Sequence, residues 1–155
     1  GGGEYGVDLN RNYGLFWGFD DSGSSPDPSS DTYRGTAGFS EPETQALKFF
    51  CEIHNFKLVL NYHTYGDLFI YPWSYEENIY TPDSAYFANY AEQATMDNFF
   101  NTGTANQTVG YTANGDSDDW MYGEQVTKSK ILPFTPEVGN SSDGFWPSPS
   151  RIVPL

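Results

Sequence analysis

Lys57-Leu58-Val59-Leu60-Asn61-Tyr62-His63 is the stretch on which the fold turns. Its apolar run is too brief for a helix and reads as a buried strand, with His63 at the strand's end. Upstream, Ser40-Glu41-Pro42-Glu43 sets a hydroxyl three residues before a carboxylate, with proline in the first turn. Ala46, Leu47, Phe50 and Ile53 follow at helical spacing, which predicts a helix over about residues 41–54. Downstream, Leu68-Phe69-Ile70-Tyr71 stops at Pro72 and reads as a second buried strand. Pro82 to Phe100 predicts a second helix, with Phe87, Tyr90, Ala91, Ala94 and Phe99 on its apolar side. Ser117 to Gly123 fits a short helix, and Lys130 to Glu137 a strand, although Pro133 and Pro136 are poorly tolerated in the middle of a sheet. Helices alternating with buried strands define an α/β layered domain, and strands this apolar need helices on both faces.

The chain has 155 residues, enough for one domain or a piece of a larger one. Hydrophobic residues at 37% and aromatics at 18% exclude a disordered chain. A net charge of −14 repels duplex nucleic acid and anionic membranes, so neither is a partner on this reading. No run approaches the ~20 apolar residues of a membrane-spanning helix, and Gly1-Gly2-Gly3-Glu4 has no basic and apolar leader. Cys51 is the single cysteine and reads as a small buried residue of the first helix. Between Gly14 and Gly38 an acidic, Ser/Pro-rich stretch offers little to bury; it reads as a long surface loop, with a domain linker as the alternative. The strands and helices are too few for a large covered sheet, so both ends read as cut.

Several side chains are candidates for chemistry. His63 stands where ligands gather in open α/β sheets, and taken alone reads as a structural histidine or a metal ligand. His54, at a predicted helix end, complements the helix dipole. Glu137 ends an apolar strand, where partial desolvation raises a carboxyl pKa toward general-base range; a surface acid beside a turn is the alternative. Arg11, between Asn10 and Asn12, offers a planar fork for a carboxylate, or an internal ion pair. Asp116, Asp118 and Asp119 crowd before Trp120, as a cation pocket, a calcium site or a capped solvated loop; the spacing is not that of an EF-hand.

Taken in order, the motifs resemble the zinc metallocarboxypeptidases of the carboxypeptidase A/B and carboxypeptidase T type. The resemblance runs through Gly6-Val7-Asp8-Leu9-Asn10-Arg11-Asn12-Tyr13, Tyr33-Arg34-Gly35, Phe39 to Thr44, Asn61-Tyr62-His63-Thr64-Tyr65 and Tyr71-Pro72. It continues through Tyr111 to Trp120, Phe134-Thr135-Pro136-Glu137, Gly144-Phe145 and Ile152-Val153-Pro154. It implies part of a three-layer α/β/α mixed-sheet fold, with residues 1–155 as the C-terminal portion of one catalytic domain whose N-terminal half is missing.

By that resemblance His63 looks like the third zinc ligand, and Glu137 like the carboxylate that shuttles a proton from the metal-bound water to the departing amine. Asn10 and Arg11 look like the grip on the substrate's C-terminal carboxylate, Tyr111 like a mobile closing tyrosine, and Tyr65 like a wall of the neighbouring subsite. Asp118 matches the base of the specificity pocket, where an acid favours C-terminal Lys or Arg. The implied function is a secreted zinc-dependent exopeptidase acting on peptide C-termini. The family's His-x-x-Glu motif is absent from this chain, and a catalytic zinc needs three protein ligands, so the chain alone is expected to be inactive and to hold Zn2+ weakly. The missing half or another copy of the chain is then an expected partner. A non-catalytic peptide- or glycan-binding domain of the same fold is the second reading.

Overall fold

The computed structural model describes residues 6–151, so the Ile152-Val153-Pro154 motif lies outside the described residues. At its centre is a four-stranded mixed sheet in the order β1-β4-β2-β3, formed by β1 (Leu58–Leu60), β2 (Leu68–Ile70), β3 (Asn101–Gly103) and β4 (Leu132–Glu137). Strand β4 runs parallel to β1 and antiparallel to β2, and β2 runs parallel to β3. Phe134 of β4, in the middle, is completely buried.

The register shows how β4 accommodates two prolines. Pro133 lies opposite Val59, and on the other side β2 reaches only as far as Thr135, which pairs with Ile70. The β1–β4 ladder stops at Leu60 and Phe134 and resumes as the isolated bridge between His63 and Glu137. Pro136, which has no N–H to donate, falls in that gap, and its carbonyl accepts from the His63 amide at 2.9 Å.

Among the described residues four α-helices accompany the sheet: α1 (Pro42–Ile53), α2 (Ser84–Ala94), α3 (Ala105–Thr108) and α4 (Ser117–Gly123). Leu58 and Leu132 pack with Phe69, Phe87, Ala91 and Phe134 in one apolar cluster. Val59, the neighbour of Leu58, packs instead with Cys51, Trp120, Met121 and Ile131. Successive strand residues point to opposite faces, so α2 covers one side of the sheet and α1 the other. Helix α4 feeds both clusters, Tyr122 into the first and Trp120 into the second.

Three local expectations change. Ser40 does not cap α1: its hydroxyl donates to Glu41 Oε1 at 2.7 Å and accepts from Asn12 Nδ2 at 2.9 Å. The buried side of α1 holds Thr44 and Cys51, with Leu47 packed alongside, whereas Phe50 and Ile53 are 48% and 58% exposed. Helix α2 ends at Ala94, its cap residue Thr95 is buried, and the chain turns at Phe99 with φ 58° before β3 begins. Asn101-Thr102-Gly103 has no apolar signal of its own; pairing with β2 makes it a strand.

The segment between Gly14 and Gly38 is less superficial than its composition implies. Gly23 and Ser24, in its middle, are buried against the sequence-distant Asn114. Its far end is tied by Asn12, a fully buried side chain whose Nδ2 donates to the Arg34 and Ala37 carbonyls and whose Oδ1 accepts from the Glu41 amide and the Thr44 hydroxyl.

Candidate active site

Strands β1 and β4 end at one rim, and the bridge just beyond their last ladder pair brings His63 and Glu137 together. The His63 amide donates to the Pro136 carbonyl and the Val138 amide to the His63 carbonyl, both at 2.9 Å. This backbone arrangement sets His63 Nδ1 3.9 Å from Glu137 Oε1. Burial pushes the Glu137 carboxyl up from 4.5 to about 7, so near neutrality both of its protonation states are populated. Burial also lowers the His63 pKa, opposed by the Asp8 charge, which favours the neutral imidazole needed by a metal ligand.

A cleft of about 230 Å³ opens over this pair. Asn10, Arg11 and Tyr111 line it together with His63 and Glu137. Arg11 belongs to the 3-10 turn Leu9–Arg11, which Asp8 caps by accepting the Asn10 amide at 2.9 Å. The guanidinium is held by its own flank: Nε donates to the Gly23 carbonyl and Nη1 to the Asn10 carbonyl, both at 2.9 Å. Asp8 is 3.8 Å from Nη1, and among the described residues Nη2 makes no hydrogen bond. A fixed, buried guanidinium with donors to spare can grip a carboxylate in two-pronged fashion. Asn10 reaches the other way, accepting the Ser117 amide at 3.1 Å and so fixing the turn to the start of α4.

Tyr111 is 55% exposed and sits in the segment between Gly110 and Gly115, with φ of 77° and 72°. Tyr65 is outside the cleft lining; its ring packs edge-on against Phe145, 5.0 Å between centroids, and Phe145 does line the cleft. Asp118 is also set back. Its carboxylate accepts from Asn61 Nδ2 at 2.6 Å and from the Thr135 hydroxyl at 2.9 Å, and it is 3% exposed. Thr135 and Asp116 form the cleft wall in front of it. Burial, followed by the Asp116 charge, raises the Asp118 pKa to about 7. Asp119 has a structural task, accepting the Ser74 and Tyr75 amides.

Asp116 and Phe145 are thus cleft residues to which the sequence reading assigned no separate role. Their signal was their place in the motifs already quoted, but which of three neighbouring aspartates faces the cavity depends on the turn into α4. As for metal, no group of three or more His, Cys, Asp or Glu side chains able to hold an ion exists among the described residues. His63 with Glu137 does not amount to a complete zinc site.

The sequence profile of the zinc carboxypeptidase family matches residues 2–155, and the chain belongs to that family. It is 34% identical to a metallocarboxypeptidase A-like protein of Trichophyton verrucosum, covering 99% of this chain and 37% of that protein. It is 33% identical to carboxypeptidase B of Astacus astacus, covering 96% and 50%, and 34% identical to carboxypeptidase A1 of Bos taurus, covering 96% and 36%. Among solved structures it resembles bovine thrombin-activatable fibrinolysis inhibitor in complex with tick carboxypeptidase inhibitor, with a TM-score of 0.80 and 29% identity over 96% of this chain and 51% of that one. The mixed sheet with its helices is therefore part of the carboxypeptidase fold. The chain spans about half or less of the length of these relatives.

Proposed function

We propose that residues 1–155 are the C-terminal portion of one catalytic domain, and that the whole protein is a secreted, zinc-dependent exopeptidase removing C-terminal Lys or Arg from peptides. The observation that carries this reading is the convergence of Arg11, His63 and Glu137 on one cleft. An exopeptidase must recognise a free carboxylate, and the fixed Arg11 fork beside Asn10 is built for that. Hydrolysis near neutral pH needs a group that accepts a proton and returns it to the leaving amine, which a carboxyl titrating near 7 does. Tyr111 closes over the bound residue, and Tyr65, through its packing on Phe145, shapes the adjoining subsite.

Preference for basic side chains follows from the acids at the cleft wall. Asp116 faces the cavity and Asp118 lies behind Thr135, both poorly solvated, so an incoming ammonium or guanidinium is favoured over an apolar side chain. Family membership implies Zn2+ in the complete domain, and His63 is the one imidazole this chain offers at the cleft. Its other ligands belong to the family's His-x-x-Glu motif, so the chain is inactive by itself and pairs with the polypeptide that carries that motif. No helix among the described residues is long and apolar enough to cross a membrane.

The test is hydrolysis by the full-length gene product. Peptides ending in Lys or Arg are expected to be trimmed in a chelator-sensitive way, and the same peptides with amidated ends are expected to resist. Equal cleavage of acid and amide would remove the role of Arg11. The second reading, a non-catalytic peptide- or glycan-binding domain, draws on the incomplete ligand set. An upstream reading frame without His-x-x-Glu would favour it.

A further inference from the structure

We propose that Asp20, outside the cleft, is a positioning residue for the Arg11 guanidinium, acting through the turn from Asp20 to Gly23; the functional half of this proposal rests on the reading of Arg11 as the carboxylate grip. One carboxylate oxygen, Asp20 Oδ1, accepts from the Ser22 amide at 3.0 Å, the Gly23 amide at 2.6 Å and Asn114 Nδ2 at 2.7 Å. Those bonds anchor the turn at Gly23, whose own carbonyl, in the next peptide unit, accepts from Arg11 Nε at 2.9 Å and from the Asn114 amide at 3.3 Å. Asp20 therefore holds the acceptor that holds the arginine.

The approach is close enough to dictate the residue type. A Cβ on Gly23 would come within 2.5 Å of Asn114 Nδ2 and 3.0 Å of the Asn114 amide nitrogen. Asn114 is completely buried, and its Oδ1 accepts from the Ser24 hydroxyl, so it cannot swing aside without breaking the strap. Arg34 braces the other side, donating to the Asp20 carbonyl at 3.0 Å and pairing with Asp21 at 2.8 Å.

The energetic argument concerns orientation. A two-pronged bond to a carboxylate requires the guanidinium plane to be set in advance, and Nε is the donor that sets it, because it lies on the stem side of the fork. Without the Gly23 carbonyl, the plane rotates about the last side-chain bonds and the ordering cost is charged to binding. Asn114 also stands three residues after Tyr111, so the same strap fixes the root of the segment carrying that tyrosine.

The experiment uses the full-length gene product labelled with 15N, reading two quantities: solvent exchange of the Arg11 Nε–H, and affinity for N-acetyl-arginine as free acid and as amide. Asp20→Ala is expected to speed Nε–H exchange about tenfold and weaken the free acid about tenfold, with the amide unchanged. Asp20→Asn retains an acceptor oxygen and is expected to stay within about twofold of the unaltered chain on both readouts. Unchanged Nε–H exchange in Asp20→Ala overturns the proposal, and so does equal weakening of acid and amide. If the unaltered chain does not distinguish acid from amide, the Arg11 reading fails, while the exchange result still decides the role of Asp20. Should Asp20→Ala not fold, Gly23→Ala displaces the same carbonyl from the Asn114 side and is held to the same two readouts.

Discussion

His63 and Glu137 face each other across a parallel backbone bridge, with Nδ1 and Oε1 3.9 Å apart, in the single gap that Pro136 leaves in the β1–β4 ladder. A break in regular pairing thus puts an imidazole and a desolvated carboxyl at one rim. In the full-length protein Glu137→Gln keeps the shape and removes the titrating group. It is expected to cut kcat by about 10²–10⁴ with KM little changed. Steady-state kinetics checks this, and near-normal kcat would take the proton-transfer role away from Glu137.

The proposed preference for basic residues is expected to respond to the acid behind the wall. Asp118→Ala should lower the kcat/KM ratio for C-terminal Lys over Phe by about tenfold. Competition between the two peptides measures the ratio directly. An unchanged ratio would shift the recognition to Asp116, which touches the cavity.

Stability should carry a signature of the same buried acid. Burial and the Asp116 charge raise the Asp118 pKa from 3.8 to about 7, so across that window the folded state holds a proton that the unfolded state has released. The native state then binds more protons, and the unfolding free energy falls as pH rises from about 4 to about 7, levelling off above. Asp118→Asn removes this contribution, so urea midpoints at about pH 4.5 and about pH 7.5 should show the variant gaining relative stability on the alkaline side. A gap between the two proteins that does not change with pH would contradict the assignment.

Metal retention by the isolated chain should be weak. With no group of three ligating side chains among the described residues, equilibrium dialysis against micromolar zinc is expected to leave far less than one ion per chain. Tight one-to-one binding would mean that the ligand set is complete without an upstream motif.

Asn12 is the largest structural surprise beside the site. Its fully buried amide joins the Arg34 and Ala37 carbonyls to the start of α1 through Glu41 and Thr44. Asn12→Ala strands several of these groups and is expected to cost about 3 kcal/mol, measured by chemical denaturation. A cost below about 1 kcal/mol would show that water replaces the amide readily.

Much of the sheet was legible because its strands announce themselves locally. Leu58-Val59-Leu60, Leu68-Phe69-Ile70 and the run into Glu137 are apolar segments of strand length, and all three form strands. β3 was not legible, since Asn101-Thr102-Gly103 becomes a strand only by lying beside β2. The outer apolar residues of α1 misled for the converse reason: helical spacing marks an apolar stripe, yet Phe50 and Ile53 are exposed while Thr44 is buried against Asn12.

By itself the sequence determined the α/β class, the family motifs and the residue types that could do chemistry, because periodicity, turn formers and scarce side chains are local properties. Only the tertiary structure decided which of those side chains share a cavity. His63 and Glu137 are far apart in the chain, as are Arg11 and the Gly23 carbonyl that aims it, and Asp118 is separated from the cleft by Thr135. Such relations depend on strand register and on buried hydrogen bonds between distant segments, which no window of neighbouring residues encodes.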